Sequence, residues 1–414
     1  MNILLTGATG YIGKRLLPLL VAQGHHVICC VRDKDRFTIP EEYVNQVRVI
    51  EVDFLNQETL ISIPNEIDAA YYLIHSMSGS AKNYDELEYA SALNFVDRMN
   101  LTRVKQVIYL SGIVNDVILS KHLASRKAVE DVLKTGLFAI TTLRAGIIVG
   151  SGSASFEIIR DLVNKLPVMI TPKWLNTKCQ PIAITDVLAF LIKSLHQPET
   201  YDQNFDIGGP DILSYKEMLL GFAQAAGLKR YIYTVPVMTP KLSSYWLYFV
   251  TSTTYKLAAA LVSSMKVEVV CKDNRINALL GVVPMTYNEA VARALVKIDK
   301  DDIVSSWKDA MISGQFTGSV ADYLKVPKKN CFIDRRKKEI LNRSYTTERI
   351  WSIGGETGWY YGDWLWEIRG FLDKLVGGVG LRRGRTNKHD IHSGDVLDFW
   401  RVLYANKKEG KLVL

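Results

Sequence analysis

Residues 2–13 read NILLTGATGYIG: a short apolar run, glycines at 7, 10 and 13, then apolar positions at helical spacing (Tyr11, Ile12, Leu16, Leu19, Leu20) that stop at Gly24. This is a strand turning into a helix through bare backbone. A side chain in such a turn would keep an anion away, whereas glycine lets main chain approach it closely. The helix then offers its unbonded N–H groups and the positive end of its dipole. Gly13, one turn into the helix, permits tight packing on a sheet. A glycine triplet alone is a weak signal, but a preceding strand and a following helix strengthen it. Gly7, Ala8, Thr9, Gly10, Tyr11, Ile12 and Gly13 are therefore candidate contacts for a dinucleotide phosphate.

Downstream, strand-like runs at 26–31, 47–52, 69–74, 104–110 and 139–143 alternate with helix-like stretches, notably 83–99 and 123–134. Short strands rich in β-branched residues between helices predict βαβ crossovers, hence an α/β fold with a Rossmann-type, doubly wound parallel sheet covered on both faces. After Gly150 the alternation fades into a small substrate lobe. Helices are expected at 156–166, 215–226 and 287–296, with a strand at 204–209. The apolar, Tyr- and Trp-rich stretch 236–265 is interrupted by Thr, Ser and Lys, so it lacks the ~18 consecutive apolar residues of a spanning helix. It reads as a pocket-lining helix. There is no transmembrane segment, although peripheral membrane contact stays open.

The composition shifts late in the chain. Residues 331–414 hold 16 Lys and Arg against 11 Asp and Glu, and five of the eight Trp, which marks a boundary between a domain at 1–326 and a smaller α+β domain at 327–414. Within the latter, the Trp359–Trp366 aromatics read as a buried helix face rather than a base-stacking platform. DVLDFWRVLYA reads as a strand, and KKEG as a turn into KLVL. The edge strand this leaves open suggests an incomplete domain and further chain beyond 414. The net charge of +8 and the basic Leu381–Arg385 cluster read as a solvated surface, with no nucleic-acid motif. Five cysteines without a CxxC pair, and only seven histidines, argue against disulfides and a metal site. With no secretory signal, a cytoplasmic location is expected.

The end of the second strand bears on a ribose. Arg32 stands where an acid would bond a 2′-hydroxyl, and a guanidinium there favours a 2′-phosphate, partly offset by Asp33. NADP is thus preferred over NAD. Asp53 and Phe54, after the third strand, are placed to meet an adenine edge. Together these features resemble the short-chain dehydrogenase/reductase superfamily in its atypical or extended, NmrA-like branch. Leu110-Ser111-Gly112, Leu143-Arg144-Ala145-Gly146 with Gly150, and Pro181-Ile182-Ala183 with Asp186-Val187 resemble its further motifs, and the C-terminal stretch resembles a trailing, START-like domain of unknown function. The resemblance implies a nicotinamide dinucleotide near Ile74, His75, Ser111 and Lys127. The family's reductases use Tyr and Lys in YxxxK; here Lys127 fits the lysine place, but Leu123 takes the tyrosine place and cannot carry a proton. His75, ending the fourth strand, is the preferred substitute and His122 the weaker one. The candidate catalytic set is Lys127, Ser111 and His75. The expected activity is oxidoreduction of a small apolar carbonyl or quinone-like substrate. The alternatives are a non-catalytic NAD(P)-sensing regulator or assembly factor and, by fold analogy, a sugar-nucleotide epimerase or dehydratase.

Overall fold

The computed structural model describes residues 1–34, 37, 39–74, 84–114, 121–235, 262, 265–299, 334–355, 357–375, 391, 396–398 and 400–414. They fall into two compact units, Met1–Met311 and Ile312–Leu414. The first is built on seven strands: β1 (Asn2–Leu5), β2 (His26–Val31), β3 (Val47–Glu51), β4 (Ala69–Tyr72), β5 (Gln106–Gly112), β6 (Ala139–Ala145) and the strand Gln203–Ile207. All are parallel, with Gln203–Ile207 at one edge beside β6, followed in order by β5, β4, β1, β2 and β3. Their near-continuous burial, complete along β4 and nearly so along β2 and β5, is what a sheet covered on both faces requires.

Helices α1 (Tyr11–Ala22) and α5 (Ile184–Lys193) cover one face, closing a core around Leu16, Leu20, Val187, Phe190 and Leu191. Helices α2 (Tyr84–Asn100) and α3 (Lys121–Leu133) cover the other, around Phe95, Val96, Met99, Val129 and Leu133. On that side Phe95 stacks edge-on against Tyr72 with centroids 4.8 Å apart. The strand order reverses between β1 and β4, where Ile3, Leu4 and Leu5 pair with Ala69, Ala70 and Tyr71. In doubly wound sheets that reversal opens a crevice beyond the carboxyl ends of the strands.

The lobe after Gly150 packs α4 (Ala154–Lys165), α6 (Tyr215–Ala225) and the helix Tyr287–Asp299 around Phe156, Val163, Met218, Phe222 and Val291. Ser153 caps α4, and Ser214 with Glu217 forms a capping box on α6. Two acids tie the lobe to the sheet: Asp186 accepts from Met285 N at 2.9 Å and Asp211 from Tyr287 N at 2.7 Å. The lobe also contains a parallel pair that periodicity alone missed, Val168–Pro172 with Tyr231–Val235. These two short strands lie far apart in sequence, so no hairpin signal announces them. The helix expected over 236–265 lies outside the described residues except for Val262 and Met265, Val262 being buried in the lobe core. No helix among the described residues is long and apolar enough to cross a membrane.

The C-terminal unit has helices Arg343–Trp351 and Asp363–Leu375 and two small hairpins, with a core of Trp351, Ile391, Leu397 and Val402. The expected hairpin into 411–413 is present. The run DVLDFWRVLYA is not one strand, because it breaks at Asp398, whose φ of 51° turns it back. The expected buried helix face is also corrected. Trp364 is 63% exposed, and Leu365, Ile368, Phe371 and Leu372 are exposed beside it, since the described residues of the small core include no side chain of this helix. The basic 381–385 cluster lies outside the described residues.

One buried ion pair fastens α3 to the sheet. Glu130, fully buried, receives two Arg144 nitrogens, the nearest at 2.7 Å, and Lys134 Nζ at 2.7 Å. Burial works against its charge, but these partners outweigh burial and hold the carboxyl below its usual range. Arg144→Ala should therefore cost about 3 kcal/mol near neutral pH, because a buried carboxylate loses its main partner. A depressed carboxyl pKa contributes stability above the unfolded value, about 4.5, and that contribution is lost as pH falls through the folded value. Urea unfolding at a series of pH values should show the gap between variant and wild type narrowing below that point; a gap independent of pH would contradict the pair's role.

Candidate nucleotide-binding crevice

The β1–α1 turn sits at the switch point. Thr6 Oγ1 donates to Tyr71 O at 2.9 Å and accepts from Leu73 N at 3.0 Å, which locks the end of β1 to the end of β4. Gly7 has φ +63°, and a Cβ on it would lie 2.6 Å from Leu73 O. A Cβ on Gly13 would lie 2.3 Å from Gly7 O and 2.8 Å from Ala8 Cα. Both contacts are with main chain that cannot step aside, so the turn excludes side chains at these two places. Gly10 caps α1 in extended conformation without a side-chain cap, which leaves the first-turn N–H groups available to an anion.

Not every residue of the turn presents its side chain to the crevice. Ala8 is in the core. The Tyr11 ring lies under the Arg15 guanidinium at 4.7 Å, its hydroxyl is buried near Gly150, and burial raises its pKa. Arg15 in turn donates to Ser151 O at 2.8 Å. Tyr11 and Ile12, which packs against the same core, thus offer a ligand their main chain. Arg32 is exposed and Asp33 half-buried just past β2.

Asp53 accepts from Leu55 N at 3.0 Å and its N–H donates to Thr59 Oγ1 at 3.0 Å, the hydrogen bonding of a strand-end turn. The Phe54 ring is in the core, 5.7 Å from Phe95, so it faces away from an adenine edge. Ile74 packs partly against the same cluster, and His75 lies outside the described residues.

At the end of β5, Ser111 is buried, 3% exposed. It shares the α3-facing side of the strand with Tyr109, whose hydroxyl donates to Arg126 O at 3.3 Å. Burial raises the Tyr109 phenol, while the Arg126 charge and a hydrogen bond from the Ser111 hydroxyl pull the other way. The Leu123 side chain packs onto Gly112, where it fills the tyrosine place with hydrocarbon. Lys127 is turned outward and pairs with Asp131 four residues on. The cation that reaches the strand end is instead Arg126: its Nη1 donates to Leu110 O at 3.2 Å, and its Cδ lies 3.7 Å from a Cβ built on Gly112. Sequence pattern missed Arg126. The available signal was the inward periodicity of α3, since Arg126 stands four residues before Glu130. For His122 the helix is described but the side chain is not.

No group of three or more metal-ligating side chains occurs among the described residues. Burial pushes Cys29, Cys179 and Cys271 up to about 12, so none of these thiols is poised as a nucleophile.

Strand order, switch point and glycine turn define a dinucleotide-binding Rossmann domain. Residues 7–158 match the NAD(P)H-binding family, to which this domain belongs, and residues 327–414 match a family of unknown function, DUF2867. The photosystem II assembly factor Ycf39 of Trieres chinensis is 22% identical over 245 residues, 59% of this chain and 75% of that protein. The chloroplastic divinyl chlorophyllide a 8-vinyl-reductase of Arabidopsis thaliana is 24% identical over 227 residues, 51% of this chain and 54% of the reductase. The chain thus spans about half the length of that relative. Among solved structures, a nucleoside-diphosphate-sugar epimerase from Staphylococcus aureus matches with TM-score 0.57 at 19% identity, over 70% of this chain and all of that one. UDP-glucuronic acid 4-epimerase from Bacillus cereus, in complex with NAD, matches with TM-score 0.53 at 16% identity, over 73% and 97%. These likenesses show a common fold.

Gly13→Ala should cost stability and weaken NADPH binding about tenfold or more, because the added methyl meets main chain on two sides. Gly24→Ala is the control: its φ is +77° with open space around it, so it should cost only about 1 kcal/mol and leave binding unchanged. Titration calorimetry and thermal melts on both variants check this.

Proposed function

We propose that the chain is an atypical, NmrA-like NAD(P)-dependent oxidoreductase, cytoplasmic and NADP-preferring, that acts on a small apolar carbonyl or quinone-like substrate. The observation that carries this reading is the bare-backbone turn at the β1/β4 switch, with the buried Ser111 hydroxyl at the end of the neighbouring β5. The glycine cradle fits a diphosphate, and such a coenzyme supplies two-electron chemistry when bound. In this reading Gly7–Gly13 hold the diphosphate, Arg32 meets a 2′-phosphate and Ser111 faces the nicotinamide side. Leu123 keeps water from the tyrosine place but cannot pass a proton, so His75, next to Ile74 in sequence, is assigned that task. Arg126, rather than Lys127, is the cation we assign to the strand end. The domain division at 326/327 is part of the same proposal, with 327–414 as an accessory module.

The hydrocarbon at Leu123 also favours a second reading, a coenzyme-sensing regulator or assembly factor without turnover. NADPH oxidation across quinones and aldehydes separates the two. Turnover that His75→Ala abolishes supports the enzyme, whereas tight coenzyme binding with no turnover supports the sensor. For the coenzyme preference, Arg32→Glu should weaken NADPH binding about tenfold or more and leave NADH within about twofold, since a charge-assisted contact to a phosphate is exchanged for repulsion. Equal losses for both coenzymes would remove Arg32 from that role.

A further inference from the structure

The helix Asp363–Leu375 turns its apolar stripe away from its own unit. Trp364, Leu365, Ile368, Phe371 and Leu372 stand at i, i+1, i+4, i+7 and i+8, which on a helix is one face about 120° wide. All five are exposed, Trp364 by 63% and Phe371 by 59%. The helix is held by the opposite edge instead. Gly370 is buried there, and the Trp366 ring lies 6.0 Å from that of Trp359, whose Nε1 donates to Asp398 Oδ2 at 2.7 Å. Trp359 N donates to Asp363 Oδ1 at 2.9 Å and pins the first turn. Together these contacts set the rotation of the helix, and the stripe could turn inward only by breaking them. At such exposures the five side chains present about 600 Å² to solvent, the upper end of what a monomeric protein leaves bare, and patches of that size mark interaction sites.

The same unit carries a run of cations. Residues 334–343, DRRKKEILNR, hold five Lys and Arg against Asp334 and Glu339, and every residue of the run is exposed. Arg336 pairs with Asp334, whereas Arg335, Lys337 and Lys338 make no ion pair with any described residue. Ile340 and Leu341 follow them, exposed as well. Asn342 then caps the helix Arg343–Trp351. Near the end of that helix the Arg349 guanidinium lies over the Tyr345 and Tyr360 rings at 5.4 and 5.7 Å, and Tyr360 Oη donates to Arg349 O at 3.0 Å. Tyr360 stands three residues before Asp363, so the cation run leads into one helix and the apolar stripe lies on the next, with their ends in contact.

We propose that the C-terminal unit docks on an anionic membrane surface. Trp364, Leu365, Ile368, Phe371 and Leu372 enter the boundary between headgroups and acyl chains, and the cations at 335–338 face the lipid charges. Charge complementarity and the make-up of the stripe together select this partner. Leu365, Ile368 and Leu372 give a nucleic-acid base nothing to stack on. About 600 Å² also falls short of the ~800 Å² that each partner of a stable dimer buries. The cations need not share the helix face, because their attraction to the surface acts over about a Debye length, ~8–10 Å. The inference stands on the C-terminal unit alone and does not depend on the coenzyme crevice.

The test is co-sedimentation of the full chain with vesicles of phosphatidylcholine alone and of phosphatidylcholine with an equal part of phosphatidylglycerol. The anionic vesicles should bind about tenfold or more tighter, and high salt should remove most of that preference. Arg335→Gln, Lys337→Gln and Lys338→Gln combined should lower binding to the anionic vesicles about tenfold or more. Trp364→Ser with Phe371→Ser should lower it as much, while the thermal midpoint stays within about two degrees, because both side chains are exposed. In the wild-type chain, brominated lipid in the anionic vesicles should quench part of the tryptophan fluorescence, and Trp364→Phe should remove that part; this measurement decides if the serine variant fails to fold. Equal binding to both vesicles, undiminished binding by the serine variant, or no quenching overturns the proposal. Single-stranded poly(U) bound as tightly as the anionic vesicles, with the same losses in the variants, assigns the surface to nucleic acid and overturns it. So does a dimer in light scattering that the serine variant dissociates while wild type ignores the vesicles, since the face then pairs two copies. No arm uses NADPH, so the failure of this proposal and the failure of the oxidoreductase reading are separate results.

Discussion

The close approach of the β1–α1 turn to the end of β4 is the constraint on which the rest of the first unit depends. Main chain packs on main chain there: Gly7 against Leu73, Gly13 against Gly7 and Ala8. Thr6 bonds both sides of the seam. Since β1 and β4 are also the strands between which the sheet reverses, this seam fixes where the crevice opens and which way α1 points its first turn. A side chain at either glycine would have to push the helix off the sheet, so the phosphate-binding geometry and the packing of α1 on its core are one requirement.

A second constraint sets the rotation of α3. Glu130 is held by Arg144 from β6, and Ser125, Val129, Val132 and Leu133 are buried with it. With about 100° per residue, that inward face includes Arg126 and leaves Lys127 on the far side with Asp131. A polar contact more than ten residues from the strand end thereby decides which cation reaches it. The side-chain chemistry at β5 follows: hydrocarbon from Leu123, a guanidinium from Arg126 and a hydroxyl from Ser111, with no phenol at position 123.

Much of the fold was legible in the residues. Strand 26–31 and the start of α1 lie where alternation and apolar periodicity put them, because consecutive βαβ units are local patterns with strong punctuation. The glycine spacing likewise announced its own turn. The pairing of Val168–Pro172 with Tyr231–Val235 was not legible, since parallel pairing across some sixty residues leaves no local trace. Nor was the orientation of Phe54, whose place after β3 is equally compatible with a crevice or a core until α2 supplies Phe95 to pack against. The aromatics of the helix Asp363–Leu375 misled for a related reason. Amphipathic spacing shows that a helix has an apolar face, and only the neighbouring elements decide how much of it is covered.

What the amino-acid order determined by itself was the parallel α/β framework and the bare turn for a phosphate, because both arise from short-range steric rules about glycine, β-branched residues and periodicity. Which side chains meet beyond the strand ends was decided only by tertiary structure. Helix rotation and strand register depend on distant contacts such as Glu130 with Arg144, and a change of one residue on a helix turns a side chain from the crevice to solvent.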